Sequence, residues 1–256
     1  MAGFHLVTDL DGTWLPAPGQ RGQLRDLENA LLARPDVVLT FATGRTFTSA
    51  LEAMDRWSLR PPHHLITDVG TAIFHRTPEG VWDEDQTWAS RVTAAWDHLA
   101  AERLLKAGLP DSVCPQPGVV PIRRLALQAL IGRGDAATGR ELERACTATG
   151  LSADILASHN LYFDVLPSGI HKGSAMTFLQ ASLELPRPVV GCGDSANDLG
   201  LLEASDYPVV MLGGLGDQEA PAELIRRAHR TDVPGPRGIH RALVALGLLE
   251  EGPHDH

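Results

Sequence analysis

The sequence predicts an α/β protein with a parallel-sheet core that is interrupted by an inserted α+β segment. Short, almost wholly apolar runs alternate with helical periodicity near both ends of the chain. Strands that are apolar throughout are typical of parallel sheets, because both faces of such sheets are covered. In the middle of the chain the predicted order changes to helix, strand, helix and two strands. We therefore expect a core formed by residues 1–77 and 161–256, and an inserted domain formed by residues 78–160.

Composition narrows the classes of function. The chain has 256 residues, of which 43% are hydrophobic and 21% are charged, and its formal net charge is −10. A chain this acidic is a poor candidate for binding nucleic acid or an anionic membrane. Three well-separated cysteines, and no apolar run of about 18 residues, predict a reduced, cytoplasmic protein without a membrane span. We expect a monomer or a small homo-oligomer that binds a small molecule.

The core elements follow from the spacing of apolar residues. In the first part of the chain the predicted strands are Phe4–Thr8, Val37–Ala42 and His64–Thr67. Helices are predicted between them, one through Leu24–Leu31 and one ending near Trp57. After Pro167 we expect alternating helices and strands over Lys172–Leu183, Pro188–Cys192, Asn197–Ala204 and Val209–Leu212, followed by helices Ala220–Ala228 and Gly238–Leu249.

The inserted segment has a different pattern. Thr87–Lys106 is predicted to be one long helix, whose apolar stripe contains Trp88, Val92, Ala95 and Leu99. Four prolines make Pro110–Pro121 a predicted connector. The remaining predicted elements are the strand Leu125–Ile131, the helix Asp135–Thr149 and the strands Asp154–Ser158 and Leu161–Leu166.

Polar residues stand at the ends of the predicted core strands. Successive strands end in Asp9 and Asp11, in Thr43-Gly44-Arg45, in Asp68, and in Asp194, Asn197 and Asp198. Because the carboxyl ends of parallel strands meet at one edge of a sheet, we expect these residues to line one crevice. Two carboxylates about 4 Å apart repel by about 4 kcal/mol at an effective dielectric constant of about 20. Converging carboxylates therefore predict a hard divalent cation with oxygen ligands, and Mg²⁺ fits best.

Lys172 adds a positive charge to this predicted crevice. It stands at the start of a predicted helix, where acidic residues are usually preferred, and we expect it to face an anion. The run Gly191–Ala196 also matches the dinucleotide-binding fingerprint G-x-G-x-x-A. We reject that interpretation, because Asp194 would occupy the position of the pyrophosphate and no acidic residue follows the next strand.

Four segments, in this order, resemble the motifs of the haloacid dehalogenase (HAD) superfamily of phosphatases. They are DLDGT at Asp9–Thr13, ATGR at Ala42–Arg45, HKG at His171–Gly173 and GDSANDLGLL at Gly193–Leu202. Thr43 and Lys172 are 129 positions apart, and the segment between them resembles the cap insertion of the type II, subclass B (C2B) members. The resemblance therefore implies a HAD-type, Rossmann-like core with an α+β cap.

A closer similarity covers nearly the whole chain. The segments DLDGTW, FATGRTFTSALE, LITDVGTAIF and YFDVLPSGIHKG are similar to the sucrose-6-phosphate phosphatase family. The chain departs from that family at Gly12, where asparagine is common, and at Ala196, where glycine is usual. This resemblance implies a Mg²⁺-dependent phosphatase that acts on a sugar phosphate.

The resemblance also assigns roles to individual residues. Asp9 is the expected nucleophile, and Asp11 the expected general acid and base. The expected Mg²⁺ ligands are Asp9, Asp11, Asp194 and Asp198, with Asp11 acting through its main-chain carbonyl and Asp198 acting indirectly. The expected phosphate-binding residues are Thr43, Gly44, Lys172 and Asn197. The expected sugar-facing residues are Arg45, Asp68, Gly70 and Thr71.

The identity of the substrate stays open at this point. Sucrose 6-phosphate is the first candidate for the substrate, and mannosylfructose phosphate or a glycosyl phosphoglycerate is the near alternative. A phosphomutase and a non-catalytic sugar-phosphate sensor are alternatives of other classes. His159 and Asn160, at a predicted turn of the cap, are either sugar contacts or a surface turn.

Overall fold

A computed structural model of the chain describes residues 3–17, 19–130, 136–158, 161–216 and 220–250. The strands of this part, in chain order, are β1 (His5–Thr8), β2 (Val38–Ala42), β3 (His64–Thr67), β4 (Ala72–Arg76), β5 (Trp82–Glu84), β6 (Val113–Pro115), β7 (Leu125–Ala129), β8 (Ala153–Ser158), β9 (Tyr162–Pro167), β10 (Val189–Gly193), β11 (Tyr207–Val210) and β12 (His229–Arg230). The helices are α1 (Arg21–Leu32), α2 (Phe47–Trp57), α3 (Gln86–Ala95), α4 (His98–Arg103), α5 (Ala136–Thr149), α6 (Lys172–Ser182), α7 (Leu199–Ala204), α8 (Ala222–Arg227) and α9 (Gly235–Ala245).

Two separate sheets confirm the predicted α/β core with an additional antiparallel unit. The larger sheet has the order β12-β11-β10-β1-β2-β3-β4-β5, and the smaller has the order β6-β7-β9-β8. In the larger sheet β1 lies between β10 and β2 and is parallel to both. β3 and β11 continue the parallel arrangement outward. The loops after β1, β2, β3 and β10 therefore emerge at one edge of the sheet, as predicted.

Helices cover both faces of the larger sheet. On one face Leu24 and Leu27 of α1 and Leu243 of α9 belong to a buried cluster with Phe41 and Leu65. The other face is covered by α3, α6 and α7, in a second cluster that includes Val7, Ile66, Trp88, Leu179 and Leu201. Burying a side chain of this size contributes about 1.5–3 kcal/mol, so this packing holds the strand ends in place.

Sheet membership differs from the predicted limits of the inserted domain. β5 belongs to the larger sheet, and Trp88 and Val92 of α3 pack into the core. β9 pairs with β7 and β8 in the smaller sheet, and β6 lies within the predicted connector. The change from one sheet to the other thus falls after residue 95 and again after residue 167, and we propose that the cap spans about this range. β5 escaped sequence analysis because it is a three-residue edge strand that is only partly buried. β4 escaped it because its apolar run ends at Phe74 and its second half is polar.

The helix predicted over Thr87–Lys106 is broken, which corrects that prediction. α3 ends at Ala95, Trp96 is extended, and the Asp97 side chain accepts a hydrogen bond from Ala100 N (2.9 Å) to start α4. The break lets Trp96 pack with the smaller sheet while Trp88 packs with the larger one. Leu99, placed on the apolar stripe by its spacing, is 68% exposed. In the described part of the chain, no helix has the length and apolar character that crossing a bilayer requires.

Candidate active site

The loop after β1 folds back on itself and buries Asp9. Trp14 N donates to Asp9 O (3.2 Å), and Leu15 N donates to Leu10 O (2.8 Å). Gly12 has a φ of +77°, which favours glycine because a side chain is strained in this region. The turn leaves the Asp9 side chain 7% exposed at the sheet edge.

Lys172 is the electrostatic centre of the site. Its ammonium is fully buried and donates to Asp9 Oδ1 (2.8 Å), Asp198 Oδ1 (2.7 Å) and Asn197 Oδ1 (2.9 Å). Burial lowers the pKa of Lys172, but the carboxylates of Asp198 and Asp9 outweigh it, so the pKa lies above its ordinary value. The side chain is therefore a fixed cation with all three protons engaged.

His171 explains how a lysine can stand at the start of α6. Its ring accepts hydrogen bonds from Gly173 N (3.2 Å) and Ser174 N (3.4 Å) and so caps the helix. The Lys172 side chain is then free to point into the acidic cluster.

Asp198 uses both of its carboxylate oxygens on protein donors. Oδ1 accepts from Lys172, and Oδ2 accepts from Asp194 N (3.1 Å) and Ser195 N (3.1 Å). A Cβ atom on Gly193 would lie 2.4 Å from Asp198 Cβ, so this close packing requires glycine there. Asp198 thus holds both the ammonium and the loop that presents Asp194.

Three carboxylates lie close enough to share a cation. One oxygen each from Asp9, Asp194 and Asp198 falls within 4.8 Å of the others. A Cβ atom on Gly12 would lie 2.3 Å from Asp194 Oδ2, so Asp194 sits directly against the Asp9 turn. Burial raises the pKa of Asp9 well above its usual range; Asp198 and Asp194 add to this, and Lys172 only partly offsets it. Oxygen donors with uncompensated negative charge fit a hard divalent cation.

Asp11 and Arg45 form an ion pair at the mouth of the site. Arg45 Nε donates to Asp11 Oδ2 and Nη2 donates to Asp11 Oδ1, both at 2.7 Å. Arg45 Nη1 also donates to Ser49 Oγ (3.0 Å), while Arg45 N donates to Thr43 Oγ1 (3.2 Å). The Asp11 side chain therefore points away from the acidic cluster, and only its main-chain carbonyl is left for a metal.

A cavity of about 480 Å³ opens above these residues and is walled by both sheets. Its floor includes Asp9, Asp11, Thr43, Arg45 and Asn197. The smaller sheet and its connector contribute Gln116, Arg124, Ser158, Tyr162 and Asp164. A volume of this size, lined by polar side chains from both sheets, suits a small hydroxylated molecule.

The four residues predicted to face a sugar do not all line the same cavity. Arg45 lines the cavity above Asp9, whereas Asp68 and Thr71 line a neighbouring cavity of about 550 Å³. Gly70 is buried, and a Cβ atom there would lie 2.3 Å from the carbonyl carbon of His171. Gly70 therefore supports the backbone before Lys172. His159 and Asn160 lie outside the described residues.

Sequence analysis missed the residues that the smaller sheet contributes to the cavity. Tyr162 and Asp164 alternate with the buried Phe163 and Val165 in β9. That alternation places the two polar side chains on one face of the strand, so it was a usable signal. Arg124 gave no such signal, because its position depends on how the connector packs.

Comparison with known proteins gives the family. A model of the sucrose-6F-phosphate phosphohydrolase family matches residues 3–232. The glucosylglycerol-phosphate synthase of Pseudomonas anguilliseptica is 31% identical over 251 residues, covering 95% of this chain and 31% of that protein. The probable sucrose-phosphatase 3a of Arabidopsis thaliana is 31% identical over 218 residues, covering 81% of this chain and 50% of that protein. The chain thus spans half or less of the length of these two relatives.

A solved structure extends the similarity to the whole fold. The sucrose-phosphatase from Synechocystis sp. PCC6803, in complex with sucrose and phosphate, superposes with a TM-score of 0.78 at 26% identity. The match covers 98% of this chain and 100% of that one. A haloacid dehalogenase-like hydrolase from Bacillus subtilis, at 22% identity and a TM-score of 0.63, shares the fold. The matched motifs, fold and length together show that this chain belongs to the sucrose-6F-phosphate phosphohydrolase family of the HAD superfamily.

Proposed function

We propose that the chain is a Mg²⁺-dependent phosphatase that hydrolyses a sugar phosphomonoester through a phosphorylated Asp9. The observation that carries this proposal is the buried Asp9–Lys172 pair, which lies beside Asp194 and opens onto a polar cavity. Relatives support it: one structure holds sucrose and phosphate, and a 27% identical protein of Agrobacterium fabrum is a mannosylfructose-phosphate phosphatase. That second relative is covered over 87% of its length.

Mg²⁺ would be held by Asp9, Asp194 and the Asp11 carbonyl. When bound, it would supply positive charge that keeps Asp9 ionised and attracts the phosphoryl oxygens. Asp198 would act indirectly, because both of its oxygens already accept hydrogen bonds.

Asp9 acts as the nucleophile. Lys172 fixes its Oδ1 atom and leaves the second oxygen to attack phosphorus. The Lys172 ammonium would also act as a nearby positive charge for the transferred phosphoryl group, and Thr43 and Asn197, which line the cavity, would be neutral donors to it. The ammonium reduces the repulsion that a phosphate dianion meets when it approaches a carboxylate.

Asp11 moves the proton. It protonates the sugar oxygen as the phosphorus–oxygen bond breaks, and the phosphoryl group remains on Asp9. It then takes a proton from the water that attacks this acyl phosphate, which releases inorganic phosphate and restores Asp9. Because Arg45 holds both Asp11 oxygens, this ion pair has to open before Asp11 can donate a proton.

The smaller sheet selects the leaving group. Gln116, Ser158, Tyr162 and Asp164 offer hydroxyl-binding groups and one aromatic ring above the site. Such a wall favours a hydroxylated leaving group over an apolar one.

The test is a phosphate-release screen over hexose and disaccharide phosphates, with Mg²⁺ or with a chelator, on the wild type and Asp9→Asn. We expect release of inorganic phosphate only with Mg²⁺, and a loss of at least about 1,000-fold in the variant. An isomeric sugar phosphate as the product would instead indicate a phosphomutase. An active Asp9→Asn variant would refute the assigned nucleophile.

A further inference from the structure

Arg124 joins the two sheets at the edge of the active site. It precedes β7 in the smaller sheet and is 3% exposed. Its Nη1 atom donates to Asp164 Oδ1. On the opposite side Nε donates to Asp68 Oδ1 (3.1 Å) and Nη2 donates to Gly44 O (3.0 Å). One guanidinium thus has one partner in the smaller sheet and two in loops of the larger sheet.

The two core loops that Arg124 contacts are already bonded to each other. Asp68 N donates to Arg45 O (2.8 Å), and Val69 N donates to Thr43 O (3.1 Å). Gly44, whose carbonyl Arg124 binds, lies between the proposed phosphate-binding Thr43 and the Asp11 partner Arg45. Arg124 therefore contacts this loop (Thr43-Gly44-Arg45, hereafter the phosphate loop) directly at Gly44 and indirectly through Asp68.

The turn that carries Asp68 needs such support. Asp68, Val69 and Gly70 have φ values of +51°, +59° and +103°. A β-branched residue at positive φ is strained, and it persists only where its surroundings hold it. At the far end of the turn, Gly70 lies against the backbone of His171 and Lys172 and accepts a hydrogen bond from Trp88 Nε1 (2.9 Å).

Electrostatics favours an arginine in this place. Burial raises the pKa of Asp68 and of Asp164, and the Arg124 guanidinium acts against this shift at both. Without Arg124, the buried Asp164 carboxylate and the partly buried Asp68 carboxylate would face each other across the junction of the sheets. Arg124 uses three separate nitrogens of a planar fork to reach acceptors on both sheets, whereas all the protons of a lysine ammonium lie on one nitrogen.

We propose that Arg124 is a positioning residue. When the smaller sheet is packed against the larger one, Arg124 holds the phosphate loop and the strained turn beside Lys172 in place. This inference rests on the proposed function, because it assigns Thr43 and Lys172 to phosphate binding. It predicts that contact with the cap keeps the phosphate-binding groups in their positions. Replacing Arg124 should make these groups more mobile, although the phosphate-binding residues themselves are unchanged.

The chain offers a matched control in the preceding residue. Arg123 also links the two sheets, through Glu84 Oε1 (2.6 Å) and Thr93 Oγ1 (3.1 Å), but its hydrogen bonds go to neither the phosphate loop nor the strained turn. Arg123→Gln removes a bond between the sheets of the same kind and takes no hydrogen bond from Gly44 or Asp68. The Arg123 charge also acts on the Asp68 carboxyl, so this variant includes the loss of a nearby charge. Any general effect of weakening the junction would appear in both variants.

The experiment compares Arg124→Gln, Arg124→Lys and Arg123→Gln with the wild type by amide hydrogen exchange and by steady-state kinetics. We expect the amides of Asp68 and Val69 to exchange at least about tenfold faster in both Arg124 variants, and at the wild-type rate in Arg123→Gln. We expect kcat to fall by about 10- to 100-fold in both Arg124 variants, with the inhibition constant for inorganic phosphate raised by a similar factor. Arg123→Gln should stay within about twofold of the wild type in both quantities.

The outcomes separate the two proposals. The positioning role would be overturned by any of three results. The amides of Asp68 and Val69 could exchange at the wild-type rate in the Arg124 variants, or Arg123→Gln could change exchange and kinetics as much as the Arg124 variants do. Exchange could also be faster in the Arg124 variants while kcat and phosphate inhibition stay unchanged. Arg124→Lys keeps the charge, so it serves if Arg124→Gln fails to fold. A wild type that hydrolyses no phosphomonoester would refute the proposed function. Hydrogen exchange and Mg²⁺-dependent binding of inorganic phosphate would still decide the role of Arg124.

Discussion

Replacing Lys172 by methionine tests how strongly the site depends on one buried ammonium. Methionine keeps much of the side-chain volume and removes the charge, so Asp9 and Asp198 lose the cation that they share at 2.8 Å and 2.7 Å. Breaking a buried ion pair by removing one partner typically costs about 3–5 kcal/mol, because the remaining charge is left uncompensated. We expect a loss of this size in the free energy of unfolding without Mg²⁺.

The other lysine of the chain is the control. Lys106 is 74% exposed and pairs with Glu102 in the i,i+4 position at 2.9 Å. Lys106→Met should cost at most about 0.5 kcal/mol, since exposed pairs of this kind contribute little. The same substitution at two sites thus separates the effect of the buried charge from that of a lost lysine.

Urea unfolding followed by tryptophan fluorescence measures the free energies, and phosphate release measures the activity. Lys172→Met should lose about 100- to 1,000-fold in kcat, the cost of removing one preorganised donor from a reacting oxyanion. Mg²⁺ should reduce the difference in free energy of unfolding between Lys172→Met and the wild type, since it binds the carboxylates that the variant leaves uncompensated. A stability loss below about 1 kcal/mol would refute the electrostatic reasoning for Lys172, because partners of buried charges cannot be removed so cheaply.

Three further predictions concern the same fold. Burial lowers the pKa of His5 to about 4, so as the pH falls below about 6.5 this side chain is protonated in the unfolded chain but not in the folded one. The free energy of unfolding should therefore fall by about 2 kcal/mol between about pH 7 and pH 5 because of His5. In His5→Gln the fall over the same pH range, measured by urea unfolding, should be smaller by about 2 kcal/mol. Gly12→Ala places a Cβ atom 2.3 Å from Asp194 Oδ2, so it should raise the Mg²⁺ concentration for half-maximal activity by at least about tenfold. Gly19→Ala has a comparable φ of +88° with open space around it and should leave that concentration unchanged. Asp11→Asn should slow turnover by about 100- to 10,000-fold by removing the proton donor, while equilibrium binding of inorganic phosphate with Mg²⁺ stays intact.

Each of these three has a contradicting result. A pH dependence in His5→Gln equal to that of the wild type would show that another group dominates acid destabilisation. Equal Mg²⁺ requirements in the two glycine variants would show that Asp194 does not need the space at Gly12. Normal turnover in Asp11→Asn would assign the proton transfer to another residue.

The core and the acidic cluster could be predicted because their signals are local. β1, β2 and β10 are buried strands, and the rule that parallel strands end at one edge brings Asp9 and Asp194 together. The same rule places Lys172 only approximately. The close contacts of its ammonium depend on His171, which caps α6 and directs the lysine inward.

The junction between the sheets could not be predicted from local signals. Asp97 breaks the long predicted helix because its side chain caps a new one, and this competes with continuous helical periodicity. Asp68 was expected to face the sugar, but Arg124 binds its carboxylate. That contact depends on how a proline-containing connector packs against a distant loop, and no periodic pattern in either segment reports it.

The most direct measurement of the central claim is chemical trapping of the phosphorylated carboxylate. Turnover of the best sugar phosphate with Mg²⁺ is stopped in acid, the acyl phosphate is reduced with borohydride, and the digested peptides are sequenced by mass spectrometry. The account predicts conversion of Asp9 to homoserine in the wild type. Phosphate release without this conversion, or conversion of Asp11 in its place, would contradict the account.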